Sequence, residues 1–211
     1  MLRLSVPAIR SILQSYDLSV PDLLCEKIQS YTELLLKWNR RISLTSIENP
    51  EEIVRYHFAE SFLATKACES LDGRLADVGT GAGFPGLALK MYVPTLQVSL
   101  IESNSKKCAF LAEAVRLLQL DGVKVIRSRY EEILAPEAPF DFVTARALGN
   151  LPSLLNWAAN VTPIGRALLW LGTDGIDAAR SASTHWAWSE HYSIPQTNAR
   201  FILVGLYQNE R

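Results

Sequence analysis

From Leu24 onward, apolar residues recur at alternating steps of four and three: Leu24, Ile28, Tyr31, Leu35, Trp38 and Ile42. That spacing lays a single apolar stripe along a helix beginning at Pro21, and packing against the rest of the protein is its expected use. A shorter helix is predicted from Ser5 and Pro7 through Leu13. Another begins at Asn49-Pro50-Glu51-Glu52, which supplies an N-cap, a proline at the first helical position and acids facing the helix dipole. It would carry Ile53, Phe58, Phe62 and Leu63 inward. Beyond Arg74 the pattern changes to short apolar runs alternating with helical stretches. Strands are predicted near 74–78, 96–102, 123–127, 140–145, 165–171, 185–192 and 200–207, and helices over 84–92, 104–118 and 151–161. Such alternation implies a parallel sheet with helices on both faces and right-handed crossovers. The last two strands leave too little chain for a helical crossover, so a hairpin should make one of them antiparallel. Two units follow: a helical segment over residues 1–70 and an α/β domain over 71–211.

Composition narrows the classes. A chain of 211 residues with 48% apolar residues can bury one substantial core. The formal net charge of −1 excludes a globally basic nucleic-acid binder but not a local basic patch. Cys25, Cys68 and Cys108 are odd in number, widely spaced and without a CxxC pair, so they are expected as reduced, buried small hydrophobes and not as metal ligands. No apolar run approaches membrane-spanning length, and a soluble, cytoplasmic protein is expected.

The chemistry concentrates in Leu75-Ala-Asp-Val-Gly-Thr-Gly-Ala-Gly-Phe-Pro-Gly86. A buried strand there breaks into a glycine-rich turn and restarts as a helix near Pro85. Gly79, Gly81 and Gly83 lack a Cβ, so their backbone N–H groups are expected to approach a ligand closely. The next strand ends at Glu102, an acid placed to hold the two hydroxyls of a ribose. The spelling Gly81-Ala-Gly-Phe-Pro-Gly86 also fits a dinucleotide fingerprint, which keeps an NAD-dependent oxidoreductase in view. Asp77 counts against it, because an acid two residues before the first glycine is typical of S-adenosylmethionine methyltransferases. A carboxylate there can orient the loop and engage the cofactor's cationic methionine end. The absence of a second substrate domain after the motif points the same way. The expected fold is then that of the class I S-adenosylmethionine-dependent methyltransferases: a Rossmann-like, seven-stranded, mostly parallel sheet with an N-terminal helical extension.

Five motifs occur in order: Lys37-Trp-Asn-Arg-Arg-Ile-Ser-Leu-Thr45, Val54-Arg-Tyr-His-Phe-Ala-Glu-Ser61, Asp77 to Gly86, Ser128-Arg-Tyr-Glu131 and Thr144-Ala-Arg-Ala147. Together they closely resemble the RsmG (GidB) family of bacterial methyltransferases, which methylate N7 of a guanine in small-subunit (16S) ribosomal RNA. The resemblance implies S-adenosyl-L-methionine as cofactor, held by Gly79, Gly81, Gly83 and Phe84, with Tyr130 and Glu131 beside its adenine. Arg146 matches an arginine that contacts the cofactor or lines its pocket. The implied partner is 16S rRNA or the 30S subunit, bound by a monomer.

Guanine N7 carries an available lone pair even within a base pair, so no proton acceptor is needed and the enzyme's work is placement. Arg55, His57, Arg200 and Asn39 are candidates for orienting the base. The plainer uses, Asn39 as a cap of the long helix and His57 as a hydrogen-bonded structural histidine, stay equally open. Lys37, Arg40 and Arg41 beside Trp38 form a possible phosphate-binding cluster, although residues 1–70 hold 8 Lys/Arg against 9 Asp/Glu. Many relatives carry Leu-Lys-Gly where this chain has Trp170-Leu171-Gly172. The missing lysine leaves an alternative, a catalytically weakened cofactor-binding RNA or assembly protein, unless Arg166 or Arg180 takes its place. Ser43 and Glu60, where relatives often carry asparagine and aspartate, retain hydrogen-bonding groups.

Overall fold

Ser5 accepts a hydrogen bond from the Ala8 N–H and opens α1 (Val6–Gln14), and α2 runs over Asp22–Asn39. A computed structural model describes residues 3–134, 139–147, 149–162, 165–182 and 185–208. Leu24, Ile28, Tyr31 and Leu35 are buried along α2, as the four-and-three spacing demands. The helix stops before Ile42, however, because Asn39 turns back on the chain. Its Oδ1 accepts the N–H groups of Leu44 (2.9 Å) and Thr45 (3.0 Å), and its Nδ2 donates to the Thr45 carbonyl (2.9 Å).

The helix expected from Asn49 is interrupted. Asn49 caps α3 (Pro50–Ile53) as read, but Val54–Ala59 is a π-helical turn before α4 (Glu60–Phe62) and α5 (Ala64–Ala67). Ile53 and Phe58 are five residues apart and both fully buried. A regular helix would swing one of them off the core face; the wider turn restores it. The same turn presents Arg55, Tyr56 and His57 near the carboxyl edge of the sheet.

The sheet comprises β1 (Arg74–Val78), β2 (Gln97–Glu102), β3 (Val123–Arg127), β4 (Phe142–Arg146), β5 (Arg166–Gly172), β6 (Trp186–Trp188), β7 (Tyr192–Ser193) and β8 (Arg200–Tyr207). Its order is β3-β2-β1-β4-β5-β8-β6, with β7 also on β8. β1 to β5 are parallel, and β8 runs antiparallel to β5, β6 and β7. Eight strands therefore replace the seven expected. The run 185–192 is two strands, because its register against β8 slips by one residue between Trp188 and Tyr192, which is the signature of a bulge.

Helices α6 (Gly86–Tyr92), α7 (Ser105–Leu117) and α8 (Leu151–Val161) lie where predicted, but α9 (Thr173–Ala182) has no counterpart in the sequence reading. It buries only Ile176 and Ala179, too little for a recognisable stripe, and Gly175 lowers its intrinsic propensity.

Side chains alternate across the sheet with period two. Leu75, Leu100, Phe142, Leu168, Trp170 and Ile202 join one core with α1, α2, Phe58, Phe62 and α7. Ala76, Val78, Val143, Ala145, Ala167, Leu169 and Leu203 join the other, against α8 and α9. Residues 3–70 thus share a continuous core with the sheet and form part of one of its two covering layers. Among the described residues, no helix is long and apolar enough to cross a membrane.

Candidate functional site

The order of strands reverses between β1 and β4, so their carboxyl ends open a crevice at the topological switch point. The glycine loop lies there, with the N–H groups of Gly79, Gly81 and Gly83 on protein acceptors. The N–H groups of Gly79 and Thr80 donate to the Ile101 carbonyl at 2.9 and 3.2 Å, and that of Gly83 donates to the Thr80 carbonyl at 2.8 Å. The Gly81 N–H donates to Glu102 Oε2 at 3.1 Å. The glycines are required for other reasons. Gly79, Gly81 and Gly83 hold φ of 64°, 55° and 84°, and a Cβ on Gly83 would stand 3.0 Å from both Leu87 Cβ and the Tyr31 hydroxyl.

Asp77 organises the loop from below. It is fully buried, and its carboxylate accepts the Thr80 hydroxyl, the Gly86 N–H (2.9 Å) and the Thr144 hydroxyl (2.9 Å). One carboxylate thereby joins β1, the loop, α6 and β4. Gly86 is the residue this demands, since a Cβ there would come within 2.5 Å of Asp77 Cβ. Burial pushes the Asp77 pKa up to about 6 despite those three donors. Of the two roles read for Asp77, the geometry provides the loop-orienting one, with Oδ2 taken by Thr80 and Gly86 and Oδ1 bonded to Thr144.

The Tyr31 hydroxyl donates to the Ala82 carbonyl, tying α2 to the glycine loop. Its ring meets Phe58, Phe84 and Phe110 edge to face. Phe84 is buried among these rings, so it supports the loop by packing and presents no open face to a ligand. Tyr31→Phe is expected to lower stability by about 1–2 kcal/mol, because the buried Ala82 carbonyl loses its donor. A thermal melt checks this, and an unchanged midpoint would contradict the tie.

Beside the loop, a cavity of about 280 Å³ is lined by Gly79, Ile101, Glu102, Ser103 and Ser128 to Glu131. Glu102 divides its carboxylate between Gly81 and the Asn104 N–H at 2.8 Å, which leaves each oxygen a further lone pair. Tyr130 donates to Ser153 Oγ at 3.0 Å and packs edge to face on Trp157, which anchors that wall. The sequence-predicted Glu102, Tyr130, Glu131 and Gly79 come together here. Arg146 does not.

Arg146 instead lines a second cleft with Glu60, Ala147, Trp170, Leu171, Gly172, Ile194, Arg200 and Phe201, of about 230 Å³. Its Nη1 donates to the Tyr56 carbonyl at 2.7 Å and its Nη2 to Glu60 Oε2 at 3.1 Å. Arg200 approaches Glu60 Oε1 at 2.7 Å as an ion pair without hydrogen-bond geometry, and its guanidinium stacks 4.7 Å over the Tyr56 ring. Ala147 carries a φ of 56°, a left-handed conformation rare for a side-chain-bearing residue and concentrated at working sites.

Glu60, noted from the sequence only as a replacement for the aspartate common in relatives, is a buried acid at the wall of this cleft. The one available signal was an acid inside an otherwise apolar stretch, Phe58-Ala-Glu-Ser-Phe62.

The remaining candidates separate. His57 Nε2 bonds Thr45 Oγ1 at 2.9 Å and its ring stacks on Phe84 at 4.6 Å. Burial, reinforced by Arg146, pulls its pKa down to about 3 against the opposing Tyr56 carbonyl, so the ring is neutral. It braces the glycine loop against the 40–47 turn. Asn39 is likewise engaged by the backbone of that turn. Arg55 lies at the rim, 3.5 Å from Gln196 Oε1. Lys37, Arg40 and Arg41 are exposed, while Trp38 is bonded to Glu113 at 3.0 Å.

Neither proposed substitute for the missing lysine is in place. Arg166 begins β5 at the opposite end of the sheet and donates to the Ser70 carbonyl at 3.3 Å; Arg180 donates to the Ser189 carbonyl at 3.3 Å. Leu171 itself lines the arginine cleft. Cys25 and Cys68 are buried and Cys108 half-buried, all as free thiols. Among the described residues, no cluster of three or more His, Cys, Asp or Glu is arranged to hold a metal ion.

The fold is similar to that of a SAM-dependent methyltransferase from Aquifex aeolicus, with a TM-score of 0.58 at 18% identity over 70% of this chain and 89% of that one. At the sequence level, the chain is 40% identical over 136 residues to the ribosomal RNA small subunit methyltransferase G of Desulfitobacterium hafniense, covering 63% of this chain and 56% of that protein. It is 38% identical over 169 residues to the protein of the same name from Roseiflexus castenholzii, covering 79% and 72%. The chain thus spans little more than half the length of the first of these relatives. The GidB profile, described as rRNA small subunit methyltransferase G, matches residues 24–202, from within α2 into β8. That match takes in both clefts, and the chain belongs to the GidB family.

Proposed function

We propose that this protein methylates N7 of a guanine in small-subunit (16S) ribosomal RNA, with S-adenosyl-L-methionine as cofactor. The observation that carries the reading is Glu102: it holds the Gly81 N–H at the switch point and keeps lone pairs free toward the adjoining cavity. The fit is reasonable for a nucleoside. The cavity is close to the lower end of the small-ligand range and has mixed polar and apolar walls. Glu102 would take the ribose hydroxyls, and the Tyr130–Glu131 segment the adenine edge. When bound, the cofactor supplies an electrophilic methyl group on its sulfonium.

The chain's own contribution is placement. Asp77 and Tyr31 fix the glycine loop from two sides, and His57 braces it through Phe84. The guanidinium groups of the neighbouring cleft are suited to donate to guanine O6 and so orient the base. Guanine N7 needs no deprotonation, in keeping with a histidine that is held neutral and bonded to Thr45. Lys37, Arg40 and Arg41 would contact phosphates, on 16S rRNA or the 30S particle, with the protein acting as a cytoplasmic monomer.

A second reading rests on Leu171, an apolar side chain in the arginine cleft where the resemblance puts a lysine. That protein would bind cofactor and RNA without turnover. Tritiated S-adenosylmethionine incubated with 30S subunits and with naked 16S rRNA separates the two. Label at one guanine, mapped by borohydride–aniline cleavage, is the expected result. Cofactor binding with no label in either substrate supports the second reading instead.

A further inference from the structure

Glu60 is 1% exposed, yet it faces two guanidinium groups at the wall of an open cleft. The two arginines are held differently. Arg146 is clamped by a backbone carbonyl and a carboxylate oxygen, with a side chain only 19% exposed. Arg200 is 39% exposed, paired without hydrogen-bond geometry and supported from below by the Tyr56 ring. Its Nη1 meets the carboxylate, so the Nε and Nη2 donors of this more exposed guanidinium are the ones left for an incoming ligand, whereas the Arg146 donors that meet Glu60 and Tyr56 are not. Glu60 is itself fastened in place, because its main-chain carbonyl accepts the Trp170 indole N–H at 2.9 Å. Trp170 forms another wall of the same cleft.

A pair of arginines in a cleft ordinarily makes a phosphate site. Here a fixed negative charge lies directly behind both. A phosphate drawn to Arg200 would meet that carboxylate at short range, where it offsets one of the two positive charges, while a neutral acceptor such as a purine carbonyl would lose nothing by it. We infer that Glu60 is a specificity-determining residue that shifts the arginine cleft away from phosphates and toward a neutral base edge. Only the identity of the accepted ligand rests on the methyl-transfer reading. The shift away from anions stands on the Glu60–Arg146–Arg200 geometry alone. It also assigns separate work to two classes of cation: exposed Lys37, Arg40 and Arg41 for the backbone, and Arg200 for the base.

The test uses sulfate, a phosphate mimic whose charge does not change between pH 6 and 8, measured by calorimetry on the full chain. Glu60→Gln is expected to bind sulfate at least about tenfold more tightly than the wild type, and to steepen the salt dependence of RNA binding by about one counterion. Glu60→Asp, which keeps the charge, is expected to remain at the wild-type level of sulfate binding. If the glutamine variant does not fold, Glu60→Gln combined with Arg146→Met removes the stranded buried charge, and its sulfate affinity is compared with that of Arg146→Met alone, from which it differs only by the carboxylate. S-adenosylhomocysteine affinity serves as a control for the other cleft.

Equal sulfate affinity in a folded variant lacking the carboxylate and in its counterpart that keeps it, with only the melting temperature changed, overturns the inference and reduces Glu60 to a structural ion-pair partner. The sulfate contrast needs no turnover. If it appears while no variant or wild type labels RNA, the methyl-transfer reading fails and the anion filter stands.

Discussion

Gly81→Asp is expected to weaken S-adenosylhomocysteine binding by at least about a hundredfold, or about 3 kcal/mol, while leaving the chain folded. Gly81 holds φ at 55°, and aspartate is among the few residues that enter this region at modest cost, about 1 kcal/mol. A Cβ there meets only the Gly79 carbonyl, at 3.8 Å, so the space is open. The added carboxylate, however, stands on the residue whose N–H is bound by Glu102. A second negative charge beside Glu102 would repel that side chain and intrude where ribose hydroxyls are proposed to lie. Gly81→Ala adds the Cβ without the charge and should lose far less affinity. Calorimetry with the two variants, alongside thermal melts, gives the answer; tight binding by the aspartate variant would show that the ligand does not use this cleft.

The second large effect is at Asp77. Asp77→Ala leaves the Gly86 N–H and the hydroxyls of Thr80 and Thr144 without their shared acceptor in a fully buried position. A loss of about 2–4 kcal/mol is expected, seen as a melting point lower by roughly 10 °C. Asp77→Asn should be far milder, because an amide oxygen in the place of Oδ2 can still accept from Gly86 and Thr80, and the Thr144 hydroxyl can rotate to accept from the amide nitrogen.

The two variants also differ from the wild type in pH dependence. The folded-state pKa of Asp77 is raised to about 6 from the ordinary 3.8, so the native chain binds this proton more tightly than the unfolded chain. The resulting stabilisation, about 3 kcal/mol, is present near pH 4 and lost as pH rises through 6. Denaturant melts from pH 4 to 7.5 should therefore show the wild type losing stability, relative to Asp77→Asn, toward the upper end of that range. A difference independent of pH would mean that Asp77 titrates normally.

Most of the architecture was legible in the chain. The stripe from Leu24 to Leu35, the capped start at Asn49 and the runs that became β1 to β5 each carry a periodic signal set by local burial. The losses have identifiable causes. The π turn at Val54–Ala59 adds one residue to a helical cycle, and no propensity marks where it will occur. The slip between Trp188 and Tyr192 depends on the partner strand β8. With two buried positions and an internal glycine, α9 offers almost no stripe.

The glycine loop and Glu102 meet through the Gly81 N–H, and the N–H groups expected to approach a ligand are bonded to Ile101, Thr80 and Glu102. Spacing tells which backbone can turn but not where its donors point. Arg146 shows the same limit. Its place at the end of β4 was evident, whereas its cleft was decided by Glu60 and the Tyr56 carbonyl, 86 and 90 residues away.

Periodicity and motif order alone determined an α/β chain with a glycine loop, an acid at the end of the next strand and membership of a methyltransferase-like pattern, since those properties arise from neighbours within a few residues. Tertiary structure decided that Asp77 serves the loop, that His57 and Asn39 are braces, and that Arg146 and Arg200 share a buried carboxylate. A side chain's chemistry is set by the charges and hydrogen-bonding groups packed around it, and in this fold those come from distant segments of the chain.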